Sequence, residues 1–320
     1  MCLRGSGAPR VSLAAMSSTR LPRSYDEMVE AKNLIFPPST FERGKTFRPS
    51  ADDVIITPWS KSGTTWLQQI VHSLRSGGDM DFDDISRISP WIEVADALGV
   101  DLDADQGWQP RAFKSHYSYV AVPKGARYLV SFREPRRVMI SYYRFYEGWM
   151  FEPGTVTIDE YVGVHLKRDR GKDYWTHIES WWGQRDADDV LLLSYELMQA
   201  DHRPAVAAIA DFIGFDADDA LIDLATKQST LEFMLDHGDR FNDLLHRQRA
   251  TEVEALPEGA GASKVTDGAF DPSAYELSQE TVAAMDQHWQ DTMGATFGFH
   301  SYDELVDRMR SESASTRPPG

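Results

Sequence analysis

The junction around residue 57 constrains this chain more than any other feature. The apolar run Val54-Ile55-Ile56-Thr57 gives way to the loop Pro58-Trp59-Ser60-Lys61-Ser62-Gly63-Thr64-Thr65, and then Leu67, Ile70, Val71 and Leu74 recur at helical spacing. A strand therefore feeds through a polar loop straight into an amphipathic helix. Tyr128-Leu129-Val130-Ser131-Phe132 and Val190-Leu191-Leu192-Leu193 are also near-continuous apolar runs, as expected of parallel strands covered on both faces. Each of the three is expected to lie centrally in the sheet. Val206, Ile209, Ala210 and Ile213 form a second helical stripe, and Val282, Met285, Trp289 and Met293 a third. With no repeat or low-complexity linker between them, this alternation predicts one α/β domain over residues 26–310, a central parallel sheet flanked by helices. Residues 76–84, 99–107 and 247–262 read as loops, the last long enough to order over a ligand.

Charge narrows the partners. Lys plus Arg number 33 against 50 for Asp plus Glu, and the resulting net charge of −17 repels polyanions, so neither nucleic acid nor an anionic membrane is expected as a partner. The single cysteine, Cys2, makes no internal disulfide or Cys-based metal cluster and fits a reducing, cytoplasmic setting. No apolar run approaches the roughly 20 residues of a membrane-spanning helix. Residues 1–25 carry Arg4, Arg10, Arg20 and Arg23 but too short an apolar stretch for a secretory signal, and are expected to be a disordered leader. The Ser- and Pro-rich residues 311–320 are expected to be a disordered tail.

The loop after the first strand suits an anion. A helix start offers unpaired N–H groups and the positive end of the helix dipole, Gly63 admits a close backbone approach, and Ser62, Thr64 and Thr65 add hydroxyl donors. Lys61 adds a full charge. The same residues also suit an ordinary capped helix with a solvated lysine. The loop is not a Walker A sequence, because no Gly-Lys-Ser/Thr occurs in the chain.

Lys61-Ser62-Gly63-Thr64-Thr65-Trp66 resembles the 5′-phosphosulfate loop of the cytosolic-type sulfotransferases, which use 3′-phosphoadenosine 5′-phosphosulfate (PAPS) as donor. Further segments are similar, with gaps, from about residue 52 to about residue 305, in the manner of a bacterial-like member. The resemblance implies a P-loop-like α/β domain, PAPS as donor, 3′,5′-ADP as product and no metal. Arg111-Ala112-Phe113-Lys114-Ser115-His116 is similar to the family's catalytic segment and implies roles for His116 and Lys114; a strand ending there puts the imidazole at the carboxyl edge of the sheet. Phe132-Arg133-Glu134-Pro135-Arg136-Arg137 and Ser141-Tyr142-Tyr143-Arg144-Phe145 resemble the segment gripping the donor's 3′-phosphate, which implies Arg133 and Ser141. Arg136 and Arg137 read as solvated. Ser194-Tyr195-Glu196-Leu197-Met198 and Ser229-Thr230-Leu231-Glu232-Phe233-Met234 resemble adenine-side segments, implying Tyr195, Ser229 and Met234 beside Trp66.

Departures from the family pattern are equally specific. Leu231 stands where an aromatic is usual, and Ser263-Lys264-Val265-Thr266-Asp267-Gly268 keeps only Lys264 and Gly268 of the pattern Arg-Lys-Gly-x-x-Gly that completes the 3′-phosphate contact. Arg247 or Arg249 is the candidate for the missing charge. The family's short dimer motif has no equivalent, so the oligomeric state is left open.

What the resemblance implies mechanistically is sulfuryl transfer to a hydroxyl or amine, with His116 as general base and Lys61 stabilising the leaving oxygen. The acceptor is expected to be a small molecule with an apolar or aromatic part, faced by Trp91, Tyr117, Phe145, Trp149, Met150 and Phe151. Two alternatives stand beside it: a P-loop kinase or other phosphotransferase, which predicts Mg²⁺ dependence, and a catalytically silent nucleotide-binding protein.

Overall fold

Residues 20–266 and 275–315 are described by a computed structural model. The expected leader up to residue 19, Gly268, and residues 316–320 lie outside them. Four strands, β1 (Val54–Ile56), β2 (Ala112–Lys114), β3 (Arg127–Phe132) and β4 (Val190–Ser194), form a parallel sheet in the order β2-β1-β3-β4. In register, Ile56 lies between Lys114 and Leu129, and Phe132 stands opposite Ser194.

Successive strand residues enter different cores, which is why the runs are apolar at every position. Ile55, Phe113, Tyr128 and Val130 pack into the larger core, and Val54, Ile56 and Leu129 into the smaller one on the other face. β1 and β3 are central as expected. β4 is an edge strand, contrary to expectation: Leu191, Leu192 and Leu193 are only half-buried. Its apolar character comes from contact with both cores, Leu192 with the larger and Leu191 and Leu193 with the smaller.

The smaller core is closed by the helices Thr64–Ser76, His202–Phe212 and Asp219–Gln228. Leu67, Ile70, Val71 and Leu74 are fully buried there, each contributing on the order of 1.5–3 kcal/mol. The helix ends on Gly77 in the left-handed region, at φ 66°. Helices Pro135–Tyr146, Ile158–Leu166, Tyr174–Trp182 and Gln279–Trp289 cover the opposite face, where Trp181 and Trp182 are core. The third predicted stripe buries Met285, Trp289 and Met293 and leaves Val282 half-buried; it continues past Trp289 through one π-helical turn, Gln290–Gly294.

Residues 247–262 are not all loop. The helix Leu244–Glu252 takes up the first part, and because only His246 and Ala250 are buried on it, no apolar stripe announces it in the sequence. The last helix, Tyr302–Ser315, enters the segment expected to be tail. Among the described residues no helix is long and apolar enough to cross a membrane.

Candidate active site

The chain leaves β1 toward β2 and leaves β3 toward β4, so the connections diverge between β1 and β3 and open a crevice at their carboxyl ends. A cavity of about 1050 Å³ occupies it. The β1 loop enters this crevice with Lys61 at φ 67° and Gly63 at φ 102°, both in the left-handed region. For a lysine that conformation is uncommon and costs energy, and here it turns the loop's backbone toward the cavity. At Gly63 a Cβ would stand 3.1 Å from both Ser131 Oγ and the Tyr195 ring, so only glycine fits.

The helix Thr64–Ser76 starts on Gly63 with no side-chain cap. Its first-turn N–H groups are thus left for another partner. Thr64 Oγ1 is buried without a hydrogen-bond partner, and so is Arg133 Nε at the end of β3. Orphaned donors around an uncapped helix start fit an anionic ligand. Arg133 is held by its Nη1, which donates to Lys61 O at 3.0 Å, and its guanidinium lies 4.4 Å from the Tyr195 ring centroid. Ser141, in the second turn of Pro135–Tyr146, shares the cavity wall with Thr65, Trp66 and Tyr195.

Trp66 Nε1 donates to Ser229 O at 2.8 Å, which fixes the indole edge-on to Tyr195 with centroids 5.2 Å apart. Ser229 caps the helix Asp219–Gln228, and Met234 is buried on Leu231–Asp236, both at this end of the wall. Leu231 lines it too and is about half exposed, at 52%.

His116 follows β2. Its Nδ1 lies 2.7 Å from Pro58 O, and a carbonyl can only accept, so Nδ1 carries the proton and Nε2 holds the lone pair. Burial and the neighbouring Lys114 hold its pKa well below the ordinary histidine value. Burial, with Lys264 and Arg133 nearby, also lowers Lys61 to about 7; its Nζ stands 4.1 Å from the Phe145 ring centroid. Lys114 is likewise lowered to about 7 by burial, with Nζ 3.9 Å from the Trp91 ring centroid and 3.9 Å from Asp243 Oδ1.

The sequence matches the family described as Sulfotransferase domain over residues 51–297. The chain belongs to the sulfotransferase family. It is 30% identical over 205 residues to sulfotransferase 1C2 of Rattus norvegicus, covering 59% of this chain and 68% of that protein. It is 31% identical over 210 residues to the 3-beta-hydroxysteroid sulfotransferase of Cavia porcellus, covering 63% and 72%. These relatives are mammalian and lend no support to the bacterial-like character expected from the sequence. The fold is shared with retinol dehydratase in complex with retinol and PAP, at a TM-score of 0.61 and 17% identity over 85% of this chain and 87% of that one. Mouse sulfotransferase SULT7A1 complexed with PAP gives a TM-score of 0.57 and 17% identity over 88% and 95%.

In this sulfotransferase nearly every expected site residue within the described segments lines one cavity. Ser62 is the exception: Ser131 Oγ donates to its carbonyl, the residue is fully buried behind the loop, and its side chain is not on the wall. Lys264 lines the cavity but is paired with Asp243, and its charge acts on Lys61, Lys114 and His116. Arg247 and Arg249 do not reach the wall; Arg247 donates to Ala262 O at 2.7 Å and Arg249 lies 3.7 Å from Glu252. Trp91, Tyr117 and Phe145 line the cavity, whereas Trp149, Met150 and Phe151 are fully buried in the core.

Three residues escaped sequence reading. Glu93 is buried, accepts from the His116 backbone N–H and from Ser115 Oγ at 3.0 Å, and is raised to about 7 by burial. A lone acid inside Trp91-Ile92-Glu93-Val94 is the signal that was available. Asp243 is buried at φ 52°; burial works to raise its carboxyl, but Lys114 and Lys264, both at Oδ1, hold it well below the usual range. His246 lines the cavity between Phe36 and Trp149, with ring centroids 4.4 and 4.7 Å away. Neither of these has a local sequence signal.

Proposed function

We propose that the chain moves a sulfuryl group from PAPS to a hydroxyl or amine of a small-molecule acceptor, in the cytoplasm and without a metal. The observation that carries this reading is the meeting, in one cavity, of a neutral imidazole with an uncapped helix start flanked by Lys61 and Arg133. Gly63, the first-turn N–H groups and Thr64 would hold the 5′-phosphosulfate, Arg133 and Ser141 the 3′-phosphate, and Trp66, Tyr195, Ser229 and Met234 the adenine end. Lys264 and Gly268 belong to this reading as a further donor contact.

His116 Nε2 takes the acceptor proton as the acceptor oxygen bonds to sulfur, while the bond from sulfur to the bridging phosphate oxygen breaks and leaves its electron pair on that oxygen. Lys61 meets this charge. Because burial holds the lysine near 7 in the free enzyme, charge growing beside it favours its cationic form, so its stabilisation rises toward the transition state. Lys114 and Lys264 both approach Asp243 Oδ1, and burial together with the charge of Lys114 keeps His116 neutral. Phe36, Phe41, Trp91 and Tyr117 give the acceptor side an apolar wall.

The test is transfer from labelled PAPS to a panel of phenols, alcohols and amines in EDTA. Label transfer without metal supports the reading. Activity that needs Mg²⁺ and consumes ATP instead identifies a phosphotransferase, and PAP binding with no transfer to any acceptor identifies a silent relative.

A further inference from the structure

A second pair of cations lines the cavity beside Tyr142, whose hydroxyl also interacts with Ser60 of the donor loop. Lys32 comes from the helix Tyr25–Ile35 and Arg168 from the turn after Ile158–Leu166, and both lie on the wall. Lys32 Nζ stands 5.8 Å from the Tyr146 ring centroid, and Arg168 Nη2 donates to Tyr25 Oη at 3.2 Å. Tyr142 and Tyr146, also on the wall, bring their hydroxyls to 3.2 Å from each other. The charges of both cations act on the Tyr142 hydroxyl, so the four groups share one corner.

Among the described residues neither cation has a carboxylate within ion-pair distance. Asp173, whose charge reaches nearby His165, is engaged by Thr176 and His288. Behind the corner, Tyr161 Oη and His165 Nε2 are buried without partners, their rings 5.8 and 5.5 Å from that of Tyr142. In a chain of net charge −17, two cations and two phenolic donors thus converge where, among the described residues, no acid pairs with them. A neutral acceptor filling this corner would strip water from them and give nothing back, whereas an anionic group would replace the lost water with charge-assisted hydrogen bonds.

We propose that this corner binds an anionic group on the acceptor, a carboxylate, sulfate or phosphate, held by Lys32 and Arg168 with O–H donation from Tyr142 or Tyr146. The inference rests on the reading that the cavity takes a sulfuryl acceptor, and it narrows that acceptor to hydroxylic or amine-bearing organic acids.

The experiment is calorimetric titration of the PAP-saturated protein with 4-(4-hydroxyphenyl)butanoate and with its primary amide, together with shorter and longer homologues of each. For at least one spacer the acid is expected to bind tenfold or more tighter than the amide, about 1.4 kcal/mol. Lys32→Gln and Arg168→Gln are each expected to reduce that preference severalfold while PAP affinity stays within twofold; Arg168→Lys retains part of it. Equal binding of acid and amide at every spacer, or a preference that survives in both Gln variants, overturns the proposal. Failure to bind PAP overturns the donor reading instead, and the acid-to-amide ratio is then read from the same titrations of the protein alone.

Discussion

His116 Nδ1 lies 2.7 Å from the carbonyl oxygen of Pro58, the first residue of the loop that carries Lys61. The loop proposed to receive the donor therefore also selects the tautomer of the proposed base. This coupling places the lone pair on Nε2 and, on that proposal, makes the two halves of the reaction depend on one backbone segment.

The pH profile follows from the two shifts. His116 is neutral well below its ordinary range, so kcat/KM for the donor should show no acid limb near 6.5. Lys61 is cationic below about 7 and loses its charge above, so kcat/KM should fall as pH rises through about 7. Bound phosphosulfate favours the cation, so the limb in kcat should lie at higher pH. Steady-state kinetics from pH 5 to 9 (a range of about four units) check both limbs; an acid limb near 6.5 with none on the alkaline side contradicts the assignment.

Lys61→Met removes the charge proposed to meet the leaving oxygen. The expected result is a loss in kcat of about 10²–10³-fold, with PAP affinity changed only a few fold. Equal losses in rate and in PAP binding would make Lys61 a donor-binding residue only.

Arg133→Ala should act on binding. Loss of a charge-assisted contact of about 1.5–3 kcal/mol weakens 3′,5′-ADP by roughly 10–150-fold and leaves 5′-AMP, which lacks the 3′-phosphate, nearly unchanged. Calorimetry with the two nucleotides reads this directly. A variant that discriminates between them as well as wild type does not read the 3′-phosphate through Arg133.

Gly63→Ala puts a Cβ 3.1 Å from Ser131 Oγ and from the Tyr195 ring at a φ of 102°. The loop must shift, at a cost of about 1–2 kcal/mol. PAP affinity should drop about tenfold, while the far-UV spectrum stays that of wild type. Unchanged PAP affinity would show that the loop does not cradle the nucleotide.

Much of this arrangement is legible in the sequence because it is local. Val54–Ile56 running into Lys61, Gly63 and Thr64 reports strand, loop and helix start within a few residues, and Lys114 with His116 reports a strand end. The rest depends on distant segments. Lys114 and Lys264 converge on one oxygen of Asp243, and nothing near any of the three announces that meeting. The edge position of β4 is hidden for another reason: Leu191, Leu192 and Leu193 touch two cores and so read like a central strand. Ser62 reads as a donor by its place in the loop, and only the bond from Ser131 shows its peptide turned inward.

The most direct test of the account is His116→Ala assayed with labelled PAPS across pH 6–8, with PAP affinity measured in parallel. On the proposed mechanism the imidazole acts on the acceptor proton and holds no part of the nucleotide, so turnover should fall by about 10²–10⁴-fold while PAP affinity stays within a few fold. Full activity of the variant throughout that range would mean that another group is the base and would contradict the central assignment.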